Sequence, residues 1–407
     1  MSQAKRIAVL SSAGGGGGGI AAKRMADAVA STGVYSTDFI DIAALGESLP
    51  PSISPLESLT NNTISDTHFT VEYSGYQRGW LVEMLCQSYD LINVHWASYL
   101  ISTAELLALA LRGKPILFMM HDFYYSTGGC HYPSTCSQYG RGCKACPQVD
   151  TKRCSQAIIA ENYVLKQKLF GLENVHIAAP SEFLRNAVVA SGIVPRHRGH
   201  VLRNAYVPVA PLDTDRPFNR RILLIADSLH EGRKNMRFAL EVLAALHSLG
   251  KKGTDFVVDV VGTAAPEMKA YLAATGVRHV FHGRITDHEV LAGIMQKTDV
   301  LLSASLEDNW PNILVEAGSY GCVPVVGPGH GCEEFVRRYG YGAVAEDYTI
   351  PAFVTALLDI LGSHSKEART RAALAIREEH APANVARDFA ALMDSMTAAK
   401  SAVTIPA

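Results

Sequence analysis

Short apolar runs alternate with helical patterns along almost the whole chain. RIAVLSS (6–12) reads as a strand. A glycine run follows it, then IAAKRMADAVAST (20–32), whose apolar positions recur at helical spacing. STDFIDI (36–42), LINVHWA (91–97), PILFMMHD (115–122) and VHIAAP (175–180) read as further buried strands, with helical stretches such as GWLVEMLCQSY (79–89) and SEFLRNAVVAS (181–191) among them. This rhythm predicts parallel sheets covered by helices. VPVAPLDTDRPFNR (207–220) breaks it, and its prolines and aspartates without periodicity predict a linker. The alternation then restarts with RRILLIADS (220–228), a helix from about Asn235, DFVVDVVG (255–262), HVFHGR (279–284), DVLLSAS (299–305) and VPVVGPG (323–329). The predicted class is therefore α/β, with two Rossmann-like domains facing a central cleft. They are residues 1–206 and 207–366, and 367–407 is a helical segment expected to pack back on the first.

Bulk properties narrow the picture only slightly. A chain of 407 residues exceeds one ordinary core. Its net charge of −2 offers no basic footprint for nucleic acid. No apolar run approaches the roughly 20 residues that span a bilayer, and MSQAKRIAVLSSAGG lacks a secretory core and cleavage site. The expectation is a cytoplasmic protein that reaches lipid only at a membrane surface. Lys152, Arg153, Lys166 and Lys168 read as a solvated basic face. Cys86, Cys322 and Cys332 sit apart and read as small buried residues.

A reducing compartment makes the remaining cysteine cluster more a metal or catalytic feature than a disulfide knot. Cys130, Cys136, Cys143 and Cys146 give C-x5-C-x6-C-x2-C within the stretch 121–154. The last interval is a zinc-knuckle spacing, and the first is longer than usual. A structural zinc that braces a loop without a core of its own, two disulfides, and free thiols all stay open. His131 and Cys154 are spare ligands.

The second half holds SLEDNWPNILVEAGSYGCVPVV (305–326) after the strand DVLLSAS, so the segment leaves the carboxyl edge of a sheet, where open α/β sheets bind ligands. Asp308 and Asn309 fall in the loop, Pro311 at a helix start, and Glu316 about one turn in. Solvated acids at a helix start are the plain alternative. Upstream, Arg233 and Lys234 stand just before a helical pattern, where two cations suit an anion held by the helix N-terminus. Near the chain start, Gly14 to Gly19 formally satisfy the dinucleotide fingerprint, although six glycines in a row satisfy almost any glycine pattern.

Together, Arg233-Lys234, SLEDNWPN, Glu316-Ala317 and GCVPVV resemble the donor half of a retaining GT-B glycosyltransferase of the family 4 type. The first half agrees. LINVHWA, KPILFMMHDFYYSTGGCHY, GCKACPQ, AAPSEFLRNAVVASG and VLRNAYVP are similar to the capsular and exopolysaccharide, colanic-acid-type branch of that family. The family's Glu-x7-Glu signature ends here at Glu316 but begins at Asp308, with Glu307 one residue too early. The resemblance implies transfer of a sugar from a UDP- or GDP-sugar to a glycan or polyprenyl-diphosphate-linked glycan, without a divalent metal for the transfer. It assigns Arg233 and Lys234 to the leaving diphosphate and Glu316 to the ribose. It places Asp308, Asn309 and Asn312 at sugar hydroxyls, with Trp310 and Pro311 in the same donor loop. Gly16, Gly17 and Gly18 would lie at the donor phosphates, and Arg284 beside the base. His121 matches a family histidine near the transferred sugar, Asp122 reads as an acceptor-side residue, and His95, at a strand end, reads equally as lining the acceptor pocket or as a packed histidine. Two rival readings stand beside it: an NAD(P)-dependent oxidoreductase using Gly14–Gly19, and a non-catalytic, zinc-braced interaction protein.

Overall fold

The computed structural model describes residues 4–46, 69–70, 72, 78–149, 155–250, 255–264, 266–363 and 365–401. Lys152, Arg153 and Cys154, named above, lie outside them. The described chain divides into two compact units. One runs to Ala205 and takes up the chain again from Ala381; the other is Tyr206–His380.

The N-terminal unit is built on β1 (Lys5–Leu10), β2 (Tyr35–Ile40), β3 (Leu91–Val94), β4 (Ile116–Met119), β5 (Val175–Ala179) and β6 (Gly199–Val201). They form one sheet in the order β2-β1-β3-β4-β5-β6, and each neighbouring pair is parallel. β3, β4 and β5 are buried at every position, because helices cover both faces. Those helices are α1 (Gly16–Ala30), α2 (Gly79–Ser88), α3 (Thr103–Leu111), α4 (Gln156–Phe170) and α5 (Glu182–Ala190). α1 begins earlier than its apolar pattern suggests, at Gly16 rather than residue 20, since a first turn tolerates glycine where no side chain need pack.

The C-terminal unit repeats the plan with β7 (Arg221–Ser228), β8 (Val257–Thr263), β9 (His279–Gly283), β10 (Val300–Ser303), β11 (Val323–Val326) and β12 (Ala343–Val344). The order is β12-β11-β10-β7-β8-β9, again parallel. Its helices are α6 (Met236–Ser248), α7 (Pro266–Ala274), α8 (His288–Met295), α9 (Asn312–Ser319), α10 (His330–Tyr339), α11 (Ile350–Gly362) and α12 (Lys366–Glu379).

Two sequence expectations change here. The stretch 207–220 is not a free linker, because Arg216 is buried in the C-terminal unit. It donates to Asp299 Oδ1 at 2.5 Å and to the Thr298 carbonyl at 2.6 Å. The tail also divides in two. α12 packs on α9, where Ile376 lies so close to Gly318 that a Cβ there would meet it at 2.7 Å. The last helix, α13 (Pro382–Ser401), instead buries Val385, Phe389, Met393 and Met396 against Ile7, Val9 and Met25 of the N-terminal unit. Burial of such side chains is worth roughly 1.5–3 kcal/mol each, which fixes the tail to that sheet.

Candidate functional site

In both units the chemistry-bearing residues collect at the carboxyl ends of the strands. In the C-terminal sheet, chain order runs β7-β8-β9 one way and β10-β11-β12 the other, so β7 and β10 flank the switch point. That is where an open α/β sheet forms a crevice. Arg233 and Lys234 follow β7, and Asp308–Pro311 follow β10. The backbone ties these loops together through Leu306 N–H donating to the Arg233 carbonyl at 2.9 Å.

The two cations are held in a small charge network. Arg233 Nη1 donates to Asp308 Oδ2 at 3.1 Å and to the Glu307 carbonyl at 2.8 Å. Its Nε and Nη2 both donate to Glu231 Oε1, at 2.9 and 2.5 Å. Lys234 Nζ donates to the same Asp308 Oδ2 at 2.5 Å. Burial alone would push the Asp308 carboxyl up, but Lys234 and Arg233 more than offset it and hold the group below its ordinary value. Asp308 is thus an anion whose Oδ2 anchors both cations. Glu231 was not picked out by sequence reasoning, because nothing local marks an acid as the partner of a nearby arginine.

The predicted donor loop also sorts by burial. Asn309, Trp310 and Pro311 are buried, while Asn312 and Glu316 are half-exposed. The Trp310 ring packs on Phe335 and stacks with His380, centroids 5.4 and 6.1 Å apart, so it belongs to the core that supports the loop. Arg284 lies after β9 as an exposed side chain paired with the exposed Asp227 at 2.6 Å.

The loop after β11, GPGHG (327–331), completes the crevice, and its glycines were the signal that could have found it. Gly331 N–H donates to the Asp308 carbonyl at 2.8 Å, and a Cβ on Gly331 would lie 1.8 Å from the Asn309 carbonyl oxygen. Tyr348 Oη donates to the Ser305 carbonyl at 2.7 Å and reaches the Pro328 carbonyl at 3.3 Å, which fastens this loop to the one after β10. Gly331→Ala is therefore expected to cost about 1–3 kcal/mol, since backbone blocks the added methyl. Chemical denaturation checks the effect. Gly293, in α8 with open space around it, is the control position.

In the N-terminal sheet the switch point lies between β1 and β3. The glycine loop follows β1, His95 and Trp96 follow β3, and His121 and Asp122 follow β4. Ser12 N–H donates to the Trp96 carbonyl at 2.7 Å and joins the first two loops. α1 starts at Gly16 (φ +68°) without a side-chain cap or an acid in its first turn. A Cβ on Gly19 would lie 2.1 Å from the Ala13 carbonyl oxygen, so glycine is needed there. Gly18 faces His121 and Trp96, where a Cβ would stand 3.6 Å from His121 Cδ2 and 3.4 Å from Trp96 Cβ. The structure therefore brings Gly16–Gly18 and His121 to one corner.

His95 does not line a surface. It is 1% exposed and bonds on one side to Asn93 Oδ1 at 2.9 Å and on the other to His121 Nε2 at 2.9 Å. Burial and the neighbouring His121 hold its pKa well below the usual value. Burial takes His121 down to about 4, with Asp122 pulling the other way, so both rings are neutral at neutral pH. Asp122 also turns inward. Its Oδ2 lies 2.7 Å from His131 Nδ1, and its Oδ1 accepts from Tyr124 N–H at 2.8 Å. Burial raises this carboxyl, and His131 and the amide lower it by more.

The cysteine stretch departs most from its reading. Phe123, Tyr124, Tyr125, Cys130, Cys143 and Val149 all belong to the main core of the N-terminal unit, so the segment does not need a metal to supply one. Its TGG turn is fixed by packing: Cβ atoms on Gly128 and Gly129 would meet the Ile159 and Thr70 carbonyl oxygens at 2.6 Å each. Lys166 is buried rather than solvated. It donates to the Tyr124 and Thr127 carbonyls at 2.6 and 3.1 Å and lies over the Tyr124 ring. Cys130, Cys136, Cys143 and Cys146 are free thiols. Gly128 N–H donates to Cys143 Sγ at 3.2 Å and Gln138 N–H to Cys136 Sγ at 3.4 Å. Burial pushes the Cys146 thiol up to about 11, and Cys130 well above its usual value. Among the described residues, no group of three or more His, Cys, Asp or Glu is gathered to hold a metal, so in this arrangement the quartet does not fit a zinc shell. No helix among them is long and apolar enough to cross a membrane.

Comparison with known proteins agrees with this architecture. Residues 219–363 match the family described as glycosyl transferases group 1. The putative colanic acid biosynthesis glycosyl transferase WcaC of Escherichia coli is 22% identical over 252 residues, which is 57% of this chain and 56% of that protein. The chain thus spans little more than half the length of this curated relative. Among solved structures, HepE of Anabaena in complex with UDP-glucose superposes with a TM-score of 0.62 at 15% identity, covering 96% of this chain and all of that one. Sucrose-phosphate synthase from Thermosynechococcus elongatus gives 0.61 at 15%, covering 97% of this chain and all of that one. With two parallel six-stranded sheets in the arrangement of these solved structures, the chain has the GT-B fold, and its residues 219–363 match the family described as glycosyl transferases group 1.

Proposed function

We propose that this chain transfers a sugar, with retention of configuration, from a nucleoside-diphosphate sugar to a hydroxyl of a glycan or lipid-linked glycan in surface polysaccharide synthesis. The observation that carries the reading is the Arg233–Lys234 pair, fastened by Asp308 at the switch point of the C-terminal sheet. As the glycosidic bond to the donor breaks, the diphosphate gains negative charge. Fixed cations aimed at it lower the barrier more than they favour the ground state. Arg233 and Lys234 take that role, with Asp308 as their internal anchor. Glu316, half-exposed on α9, takes the ribose. Asn309 and Asn312 take sugar hydroxyls, and Arg284 the base side. His121 keeps the sugar-side role that the resemblance assigns to it. A lipid-linked acceptor would bring the chain to a membrane surface. UDP is the first nucleotide to try, because the Anabaena relative is a complex with UDP-glucose.

Thermal denaturation with UDP, GDP and inorganic phosphate tests the donor site. One nucleoside diphosphate is expected to raise Tm, with about 2.7 kcal/mol of stabilisation at a hundredfold excess over Kd. Phosphate alone should do little. No shift with either nucleotide counts against the reading. A nicotinamide absorbance assay run beside a nucleotide-release assay separates the oxidoreductase alternative, which leaves the family match at 219–363 unexplained. The zinc expected from the cysteine spacing carries no step here. Metal analysis of the purified chain with a chelator control decides that point.

A further inference from the structure

A line of hydrogen bonds runs from the sheet to His121, and its polarity is determined at one end. Asn93 Nδ2 donates to the Leu117 carbonyl at 3.1 Å, and a carbonyl can only accept. This orients the amide and leaves Asn93 Oδ1 as an acceptor. His95 Nε2, 2.9 Å from that oxygen, must therefore carry a hydrogen. A neutral imidazole has one N–H, so His95 Nδ1 is then a bare lone pair. His121 Nε2, 2.9 Å from it, must supply the next hydrogen. The His121 proton is thereby placed on Nε2, and Nδ1 becomes the ring's acceptor.

We propose that Asn93 and His95 are positioning residues that fix His121 as the Nε2–H tautomer, so that any group meeting its Nδ1 must bring a hydrogen. The function of this device rests on the reading that His121 serves the sugar. A neutral ring offering a lone pair takes a hydroxyl and repels a carboxylate or phosphoryl oxygen. The sugar group seated at this point is then a neutral hydroxyl and not a uronate. The assignment does not depend on what His121 Nδ1 touches when no sugar is bound. It follows from the order of donors and acceptors from Leu117 outward. Its setting supports it: Asn93 and His95 are each 1% exposed, so water cannot scramble the chain of donors. The His95 and His121 rings also stack at 5.1 Å with 27° between planes, which holds them in register.

The test is nitrogen NMR of the full chain labelled with ¹⁵N-histidine. The His121 signals are assigned among the fifteen histidines by their loss in His121→Gln. The Nε2–H tautomer is expected in the wild type. Asn93→Leu, which removes the accepting oxygen, is expected to give a mixed or reversed tautomer at His121. It should lower kcat for transfer by tenfold or more, since a wrongly placed imidazole proton is costly to catalysis, while KM for the nucleotide sugar stays within about twofold. His95→Phe, which keeps a ring in the stack, should do the same. An Nδ1–H tautomer in the wild type overturns the assignment without any variant having to fold. An unchanged tautomer in both variants overturns it as well. His121→Ala separates the two levels. If it keeps full transfer, the sugar-side reading of His121 fails and the functional half of the proposal falls with it. If it is inactive while a reversed tautomer leaves kcat intact, that half falls and the reading stands.

Discussion

Arg233→Ala is expected to lower the transfer rate by about 10²–10³-fold, the usual cost of deleting one fixed group that stabilises developing negative charge. It should also remove most of the thermal stabilisation given by a nucleoside diphosphate. Alanine deletes the guanidinium that spans Glu231, the Glu307 carbonyl and Asp308, leaving Lys234 as the one cation on Asp308 Oδ2. Two carboxylates then share a single neutralising charge at the place where the proposed function seats a diphosphate. Arg233→Lys should recover little, because a lysine is a point charge and cannot hold Glu231 and Asp308 at once through a planar fork. Steady-state nucleotide release and thermal denaturation, each with and without nucleotide, separate loss of charge from loss of fold. Activity within threefold of wild type in Arg233→Ala would sink the donor-site assignment.

Asp299→Ala is expected to be the most damaging single change to stability, at about 3–5 kcal/mol, the range for stripping the partner from a buried charge. The carboxylate is fully enclosed and its partner Arg216 nearly so, with side-chain exposures of 0% and 6%. Asp299 Oδ2 also accepts the backbone N–H groups of Asn219 and Arg221, at 2.8 and 3.0 Å. It therefore fixes the chain's entry into β7 as well as neutralising Arg216. An apolar double replacement, Arg216→Met with Asp299→Leu, should be less destabilised than Asp299→Ala alone, because it leaves no unpaired charge. Urea denaturation of the three proteins measures the difference. If the double variant is as unstable as the single one, the backbone contacts of Asp299 and not the ion pair dominate.

How far the sequence could be read is clearest at particular residues. β1, β3, β4, β5, β7, β8, β10 and β11 announced themselves because each is a mainly apolar run bounded by polar or glycine positions, whereas β2 and β9 mix polar residues in and were read from their place in the rhythm. β6 and β12, three and two residues long, are too short to carry a pattern. Trp310 was grouped with the residues of the expected donor loop, and nothing in its local sequence told where its ring would pack. Its ring is large and apolar and the nearby core had room for it, beside Phe335 and His380. Lys166 looked solvated because lysine usually is. Two carbonyls and the Tyr124 face compensate it in the interior.

The sequence by itself determined the α/β class, the restart of the rhythm near residue 220, and the loops on which the chemistry sits. Those follow from periodicity and from glycine and proline placement, which are properties of neighbouring residues. Only the tertiary structure decided what each chemical group meets. Lys234 and Asp308 are 74 positions apart and share one hydrogen bond. Asn93, His95 and His121 line up only because β3 and β4 are adjacent in the sheet. α12 and α13 are both alanine-rich helices yet join different units. The partner of a charge or an imidazole is set by strand order and by closure between distant segments, and no local pattern encodes either.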